Sequence, residues 1–161
     1  MLTAHLPAGY SLVRLARQTS PSVLAVALIF SILPDFDLLW FYLVDNRSVH
    51  HHRYWVHLPV FWVAVFCPLI ALGWRTRFRA HLVIAFAAVM LHLVLDTIAG
   101  GIAWLAPFDR TLIHLVIVPP SEHYHWLMTF MLHWTFALEL VVWCLALGLM
   151  AREVSLRRRA V

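Results

Sequence analysis

The stretch Ala80–Ala99 reads AHLVIAFAAVMLHLVLDTIA, long and apolar enough to cross a membrane as one helix, yet it carries His92 and Asp96 toward its far end. An unpaired carboxylate or imidazole in hydrocarbon costs about 3 kcal/mol or more, so ionisable groups kept at that depth imply a shared partner. Four residues apart, His92 and Asp96 lie on one helix face about a turn from each other, a spacing suited to one metal ion or to two adjacent ones. A His–Asp hydrogen bond locking two helices is the plainer alternative.

Working outward, three more segments have spanning length, and the four together are Ser22–Val44, Trp55–Trp74, Ala80–Ala99 and Trp126–Met150. With 161 residues, 63% of them hydrophobic, and a mean hydropathy of +0.81, the composition excludes an ordinary soluble domain. The expected fold is a single all-α integral membrane domain: a polytopic bundle of about four transmembrane helices plus an N-terminal amphipathic or re-entrant segment. The net charge of +4 sits at segment ends and forms no face for nucleic acid. Cys67 and Cys144 lie singly in hydrophobic spans, which indicates neither a disulfide framework nor a thiolate site.

Arginines set the orientation. Arg14, Arg17, Arg75, Arg77, Arg79, Arg152, Arg157, Arg158 and Arg159 fall on one side, against Arg47, Arg53 and Arg110 on the other, which makes the first side cytoplasmic. Tyr54, Trp55, Trp104, Tyr124 and Trp126 then lie near the periplasmic interface and Trp74 near the cytoplasmic one. At ~1.5 Å of rise per residue, Asp35, Asp37, His57, His92, Asp96 and His133 all come out about 18–25 Å above the cytoplasmic edge. Ionisable groups from four helices therefore share one outer layer, with Glu139 deeper and, by helical phase, on another face from His133.

In Pro34-Asp35-Phe36-Asp37 the proline frees a carbonyl and bends the first span, so that either carboxylate can turn toward the bundle interior as ligand or general base. His50-His51-His52-Arg53 and His57 follow at the mouth of the second span; imidazole is the commonest metal ligand, and Arg53 offers a planar fork for a phosphate oxygen pair. His50 and His51 also read as a solvated run. His114, Glu122, His123 and His125 read as surface residues of a long loop, in which Leu112–Val118 suggests a short interfacial helix or re-entrant piece. His133, inside the fourth span, reads equally as a ligand, a partner of one, or a packed histidine. Gly100-Gly101 reads as the end of the third span.

Taken together, His5 with Gly9, Leu33 to Asp37, the His52-Arg53…His57 element, His92-x-x-x-Asp96 and Pro107-Phe108 resemble the bacterial family of membrane-bound metal-dependent hydrolases, some under LexA control. That family is similar to the zinc-dependent phospholipase C and P1 nuclease group, whose helical members cleave phosphoesters and take zinc ligands from a His-x-x-x-Asp pair. The resemblance implies an inner-membrane enzyme whose metal, most simply Zn2+, is held by His5, Asp35, Asp37, His52, His57, His92 and Asp96, with Asp35, Asp37 and Arg53 in catalytic roles; His133, beyond the matched residues, joins the candidate ligands by its depth alone. A site near the periplasmic face suits a membrane lipid or lipid-linked phosphoester substrate. The chain departs from the family pattern where Val56 and Leu58, instead of hydroxyl residues, flank His57. Joining His5 to the layer requires a re-entrant first segment running inward from the outer half to Arg14 and Arg17. A divalent-cation carrier, or a structural metal holding the helices without catalysis, is the competing expectation.

Overall fold

The computed structural model describes residues 1, 3–119, 123 and 125–159, so Glu122 and Tyr124 lie outside the described residues. Among the described residues every named element is helical: α1 (His5–Leu15), α2 (Pro21–Ile32), α3 (Asp37–Leu43), α4 (Pro59–Gly73), α5 (Arg79–Ala99), α6 (Trp126–Leu132) and α7 (Phe136–Arg159), with short 3-10 turns at Pro34–Phe36, His51–Arg53 and Trp55–His57.

Proline sets several boundaries. Pro21, Pro34 and Pro59 each occupy the start of a helix, where a missing N–H costs nothing. Pro34 also cannot continue the ladder of α2, and α3 leaves α2 at 49°. The expected span 22–44 is therefore a broken one. The second expected span is shortened: α4 starts at Pro59 and has 15 residues, which leaves Trp55–His57 as a 3-10 turn before it. The third matches α5 to within a residue.

The fourth span differs from expectation. It breaks between Leu132 and Phe136, and α6 and α7 meet at 70°. His133 causes this locally: its Nδ1 lies 2.9 Å from Thr135 Oγ1 and accepts from the Thr135 N–H at 3.4 Å, a side-chain bond that replaces the helical pairing there. Among the described residues, α5 alone is by length and composition able to cross a membrane, and the two bent pairs would bring the number to three.

Contacts give each helix its direction. Thr3 meets Glu139 while Arg14 meets Glu153, so α1 and α7 run parallel. Val13 of α1, Val23 of α2 and Ile84 of α5 pack together, with the Ser22–His81 hydrogen bond nearby; these mark the end where α1 finishes and α2 and α5 begin. At the opposite end gather His5, Asp35, His57 and Asp96. The first segment is thus a helical hairpin that leaves the Asp96 level, turns at Arg17 (φ 54°) and returns, as the re-entrant reading required. A core of Trp62, Phe66, Ala85, Val89, Leu93 and Ile102 binds α4 to α5, with Phe30 of α2 packed against it.

The loop after α5 is not a helix. Asp96 O accepts from both Gly100 and Gly101, and the chain then folds back extended: Ile102 and Ile113 exchange backbone hydrogen bonds. Leu115 and Val116 donate to Thr97 O and Ile98 O. Residues 112–118, expected as a short interfacial helix or a re-entrant piece, form no helix, and Leu115 and Val116 satisfy carbonyls that α5 leaves open at its end.

Close approach of α1 to α2 needs Gly9. A Cβ there would sit 2.8 Å from Ser31 Oγ and 3.2 Å from Ala27 O, and Ser31 is itself pinned by a bond to Leu28 O. Gly9→Ala should therefore destabilise the detergent-solubilised protein by about 1–3 kcal/mol, whereas Gly148→Ala, with nothing within 4 Å, should be neutral or raise the melting temperature. Thermal unfolding followed by tryptophan fluorescence checks both.

Candidate metal centre

Seven of the expected residues converge at one end of the bundle. His5 opens α1, Asp35 lies in the 3-10 turn after α2, Asp37 opens α3, His52 and His57 lie in the two turns before α4, and His92 and Asp96 project from the last half of α5. All except Asp35 have side chains at most 6% exposed, and Asp35 is 29% exposed.

Four imidazoles face two carboxylates. His5 Nε2 lies 3.2 Å from Asp96 Oδ1 and 3.9 Å from Asp35 Oδ2. His92 Nε2 lies 2.9 Å from Asp96 Oδ2 and 3.7 Å from Asp35 Oδ1. His57 Nε2 stands 3.9 Å from Asp35 Oδ1 and 3.8 Å from Asp96 Oδ2, and His52 Nε2 stands 3.8 Å from that same Asp96 oxygen. Ligands at ~2.1 Å around a tetrahedral ion stand ~3.4 Å from one another, which is the scale of these separations.

The opposite ring nitrogens decide which atom looks inward. His92 Nδ1 donates to Ser31 O at 2.8 Å and His52 Nδ1 to Gly101 O at 2.9 Å. His57 Nδ1 is 2.8 Å from Asp37 Oδ2. With its Nδ1 proton turned to an oxygen, a neutral ring presents the Nε2 lone pair to the centre, as metal-binding histidines do.

Lone pairs facing carboxylate oxygens repel unless something positive lies between them. His57 Nε2 is buried with no hydrogen-bond partner, and His92 Nε2 and Asp96 Oδ2, paired at 2.9 Å, have no other hydrogen-bonded neighbour. Such under-satisfied buried groups are costly, and a divalent cation satisfies them together. Two groups have donor atoms all within 4.8 Å of one another: His5, Asp35, His92 and Asp96, and beside them His51, His52 and His57. His51, which the sequence reads as solvated, thus joins the second group, with its Nδ1 3.6 Å from Asp37 Oδ1. Asp96 Oδ1 also meets the Met1 amino nitrogen at 2.5 Å, a positive partner absent from the sequence reading.

Two expectations fall elsewhere. His133 belongs to neither group; its ring is engaged by Thr135 in the bend between α6 and α7, because the break in the fourth span turns it aside. Arg53 is exposed in the same turn as His52, at the rim and not among the buried groups. One contributor was missed: a Cβ at Gly100 would overlap the His52 ring, with Nδ1 only 2.8 Å away, so this glycine makes room for the imidazole as well as ending α5. The adjacent Gly100-Gly101 pair, four residues after Asp96, was the available signal.

An all-helical membrane protein with a buried His/Asp cluster capable of holding metal is the class these features define. The YdjM inner membrane protein family matches residues 1–159, and the chain belongs to that family. No curated protein and no solved structure matches it.

Gly100 adopts φ −86°, open to any residue, so Gly100→Ala acts by bulk alone. It should weaken zinc or cobalt binding as much as His52→Ala does, measured by competition with a chromophoric chelator. Burial pushes His52 from 6.5 down to about 3, the nearby Asp96 carboxylate opposing the shift and His51, His57 and His50 adding to it. The unfolded chain therefore takes up this proton first as pH falls. Stability owed to neutral His52 is complete above about 6.5 and is lost toward about 3. The melting temperature of metal-free protein should fall over that window, and His52→Gln should flatten part of the decline.

Proposed function

We propose that this protein is a multi-pass, metal-dependent hydrolase of the inner membrane that cleaves a phosphoester at the periplasmic face, with a phospholipid or lipid-linked compound as substrate. The observation that carries the reading is the convergence of imidazole Nε2 atoms on the oxygens of Asp35 and Asp96, with His57 Nε2 buried and without a hydrogen-bond partner. Nitrogen and carboxylate donors without thiolate suit zinc, and manganese and iron accept the same set.

A bound divalent ion supplies Lewis acidity toward a phosphoryl oxygen and makes water acidic enough to attack at neutral pH. The residues of the chain divide the remaining work. Asp35 is the most exposed carboxylate of the cluster, and an oxygen of it not engaged by the ion would take the proton of an attacking water. Asp37 holds His57 at Nδ1 and fixes that ring's direction. Arg53, exposed beside His52, is free to turn its guanidinium toward the charge that develops on the phosphoryl group.

A carrier needs polar groups along a path to the other face. Between the cluster and the arginine-rich end, the packed side chains include Val13, Val23, Ala27, Ile84 and Val89, all at most 6% exposed, with Ser11 and Ser31 as buried polar groups among the described residues, and this mostly apolar packing favours the enzyme. A closed structural site would saturate its ligands, whereas the partly open Asp35 leaves one edge accessible.

Metal analysis of detergent-purified protein, combined with a phospholipase and phosphatase panel, tests the proposal. The expected outcome is bound metal and chelator-sensitive turnover that Asp96→Ala lowers by about 100-fold or more. Metal retained without any turnover would favour the structural reading, and uptake of zinc into proteoliposomes would favour the carrier.

A further inference from the structure

Glu139 is a fully buried carboxyl in the first turn of α7, outside the metal centre and with no part in the chemistry proposed above. Burying such a group in apolar surroundings is unfavourable unless donors meet it. Here one oxygen, Oε2, accepts both from the Thr3 backbone N–H at 2.7 Å and from Thr3 Oγ1 at 2.5 Å. One turn further along α7, the Trp143 indole donates to the same threonine oxygen at 3.1 Å. Thr3 stands just before α1, where backbone N–H groups have no helical acceptor, so the carboxyl supplies what the helix cannot.

His5 follows two residues later. At ~3.5 Å per extended residue, fixing Thr3 restricts the His5 backbone to about 7 Å of reach, and within it His5 Nε2 stands 3.2 Å from Asp96 Oδ1 and donates to Met1 O at 2.9 Å. Ala4 and Ala8 pack against Leu95 in the same region, with Val142 of α7 alongside, so α7 flanks the segment on its apolar side too. We infer that Glu139 is a positioning residue: by seating Thr3 it delivers His5 to the Asp96 cluster from the opposite end of the chain. The consequence for metal binding rests on the reading of the site given above, while the anchoring itself does not.

Both halves are measurable on the full chain in detergent, in a background where the exposed Cys67 and Cys144 are changed to serine. Ala4 is fully buried, so Ala4→Cys should react slowly with a water-soluble maleimide in otherwise unaltered protein. Glu139→Ala should raise that rate by about tenfold or more, Thr3→Val should raise it as well, and Glu139→Gln, whose amide oxygen still accepts, should restore most of the protection. In cobalt(II) titrations Glu139→Ala should weaken binding by the same factor as His5→Ala, and the double variant should be no weaker than His5→Ala alone. Labelling unchanged in both Glu139→Ala and Thr3→Val would overturn the inference, as would cobalt losses that add. Parent protein that binds no cobalt would sink the metal reading alone, and the labelling rates would then decide the anchor.

Discussion

Asp96 is the constraint on which the rest of the bundle depends. Its two oxygens face His5, His52, His57 and His92, which belong to α1, to the turns before α4 and to α5 itself. A carboxylate this deeply buried has to be compensated, and compensating it requires three separate parts of the chain to arrive at one level. The helical hairpin of α1 and α2, the break at Pro34 and the late start of α4 all serve that arrival. Pro34 turns Asp35 inward, and the delay to Pro59 leaves His57 in a turn where its ring can face Asp35 and Asp96.

The orientation of three of the four imidazoles, His52, His57 and His92, is set at the ring nitrogen turned away from Asp35 and Asp96. Ser31 O, Gly101 O and Asp37 each engage one Nδ1, and they come from the end of α2, the loop after α5 and the start of α3. The inward-facing rings are thus clamped by neighbouring segments of the chain. Ser31 joins this to packing, because its side chain lies against Gly9 while its carbonyl fixes His92. A shift between α1 and α2 is therefore felt at the His92 ring.

Much of the centre was legible because each contributor interrupts an apolar run. His92, Asp96, Asp35, Asp37 and His57 are conspicuous at bilayer depth, and the structure brings them within a few ångströms of one another. His133 interrupts its run in the same way, yet its ring is captured by a neighbouring threonine; local side-chain pairing leaves no trace in hydropathy. The break of the fourth span went unseen for the same reason, since neither proline nor glycine marks it. Glu139 was visible as an oddity, but its partner lies 136 residues away at the other end of the chain, a pairing that no spacing rule reaches. The extended return after Gly101 was hidden because Leu112–Val118 is apolar enough to pass for helix, while its pairing with α5 and Ile102 is a property of the fold.

The brevity of α4 bears on the surrounding lipid. Fifteen residues rise about 22 Å, well under the ~30 Å of hydrocarbon in a typical bilayer. An α4 that crosses the membrane sets up a hydrophobic mismatch on its flank, which the bilayer relieves by thinning there. Thinning there would draw headgroups toward the turn that holds His57.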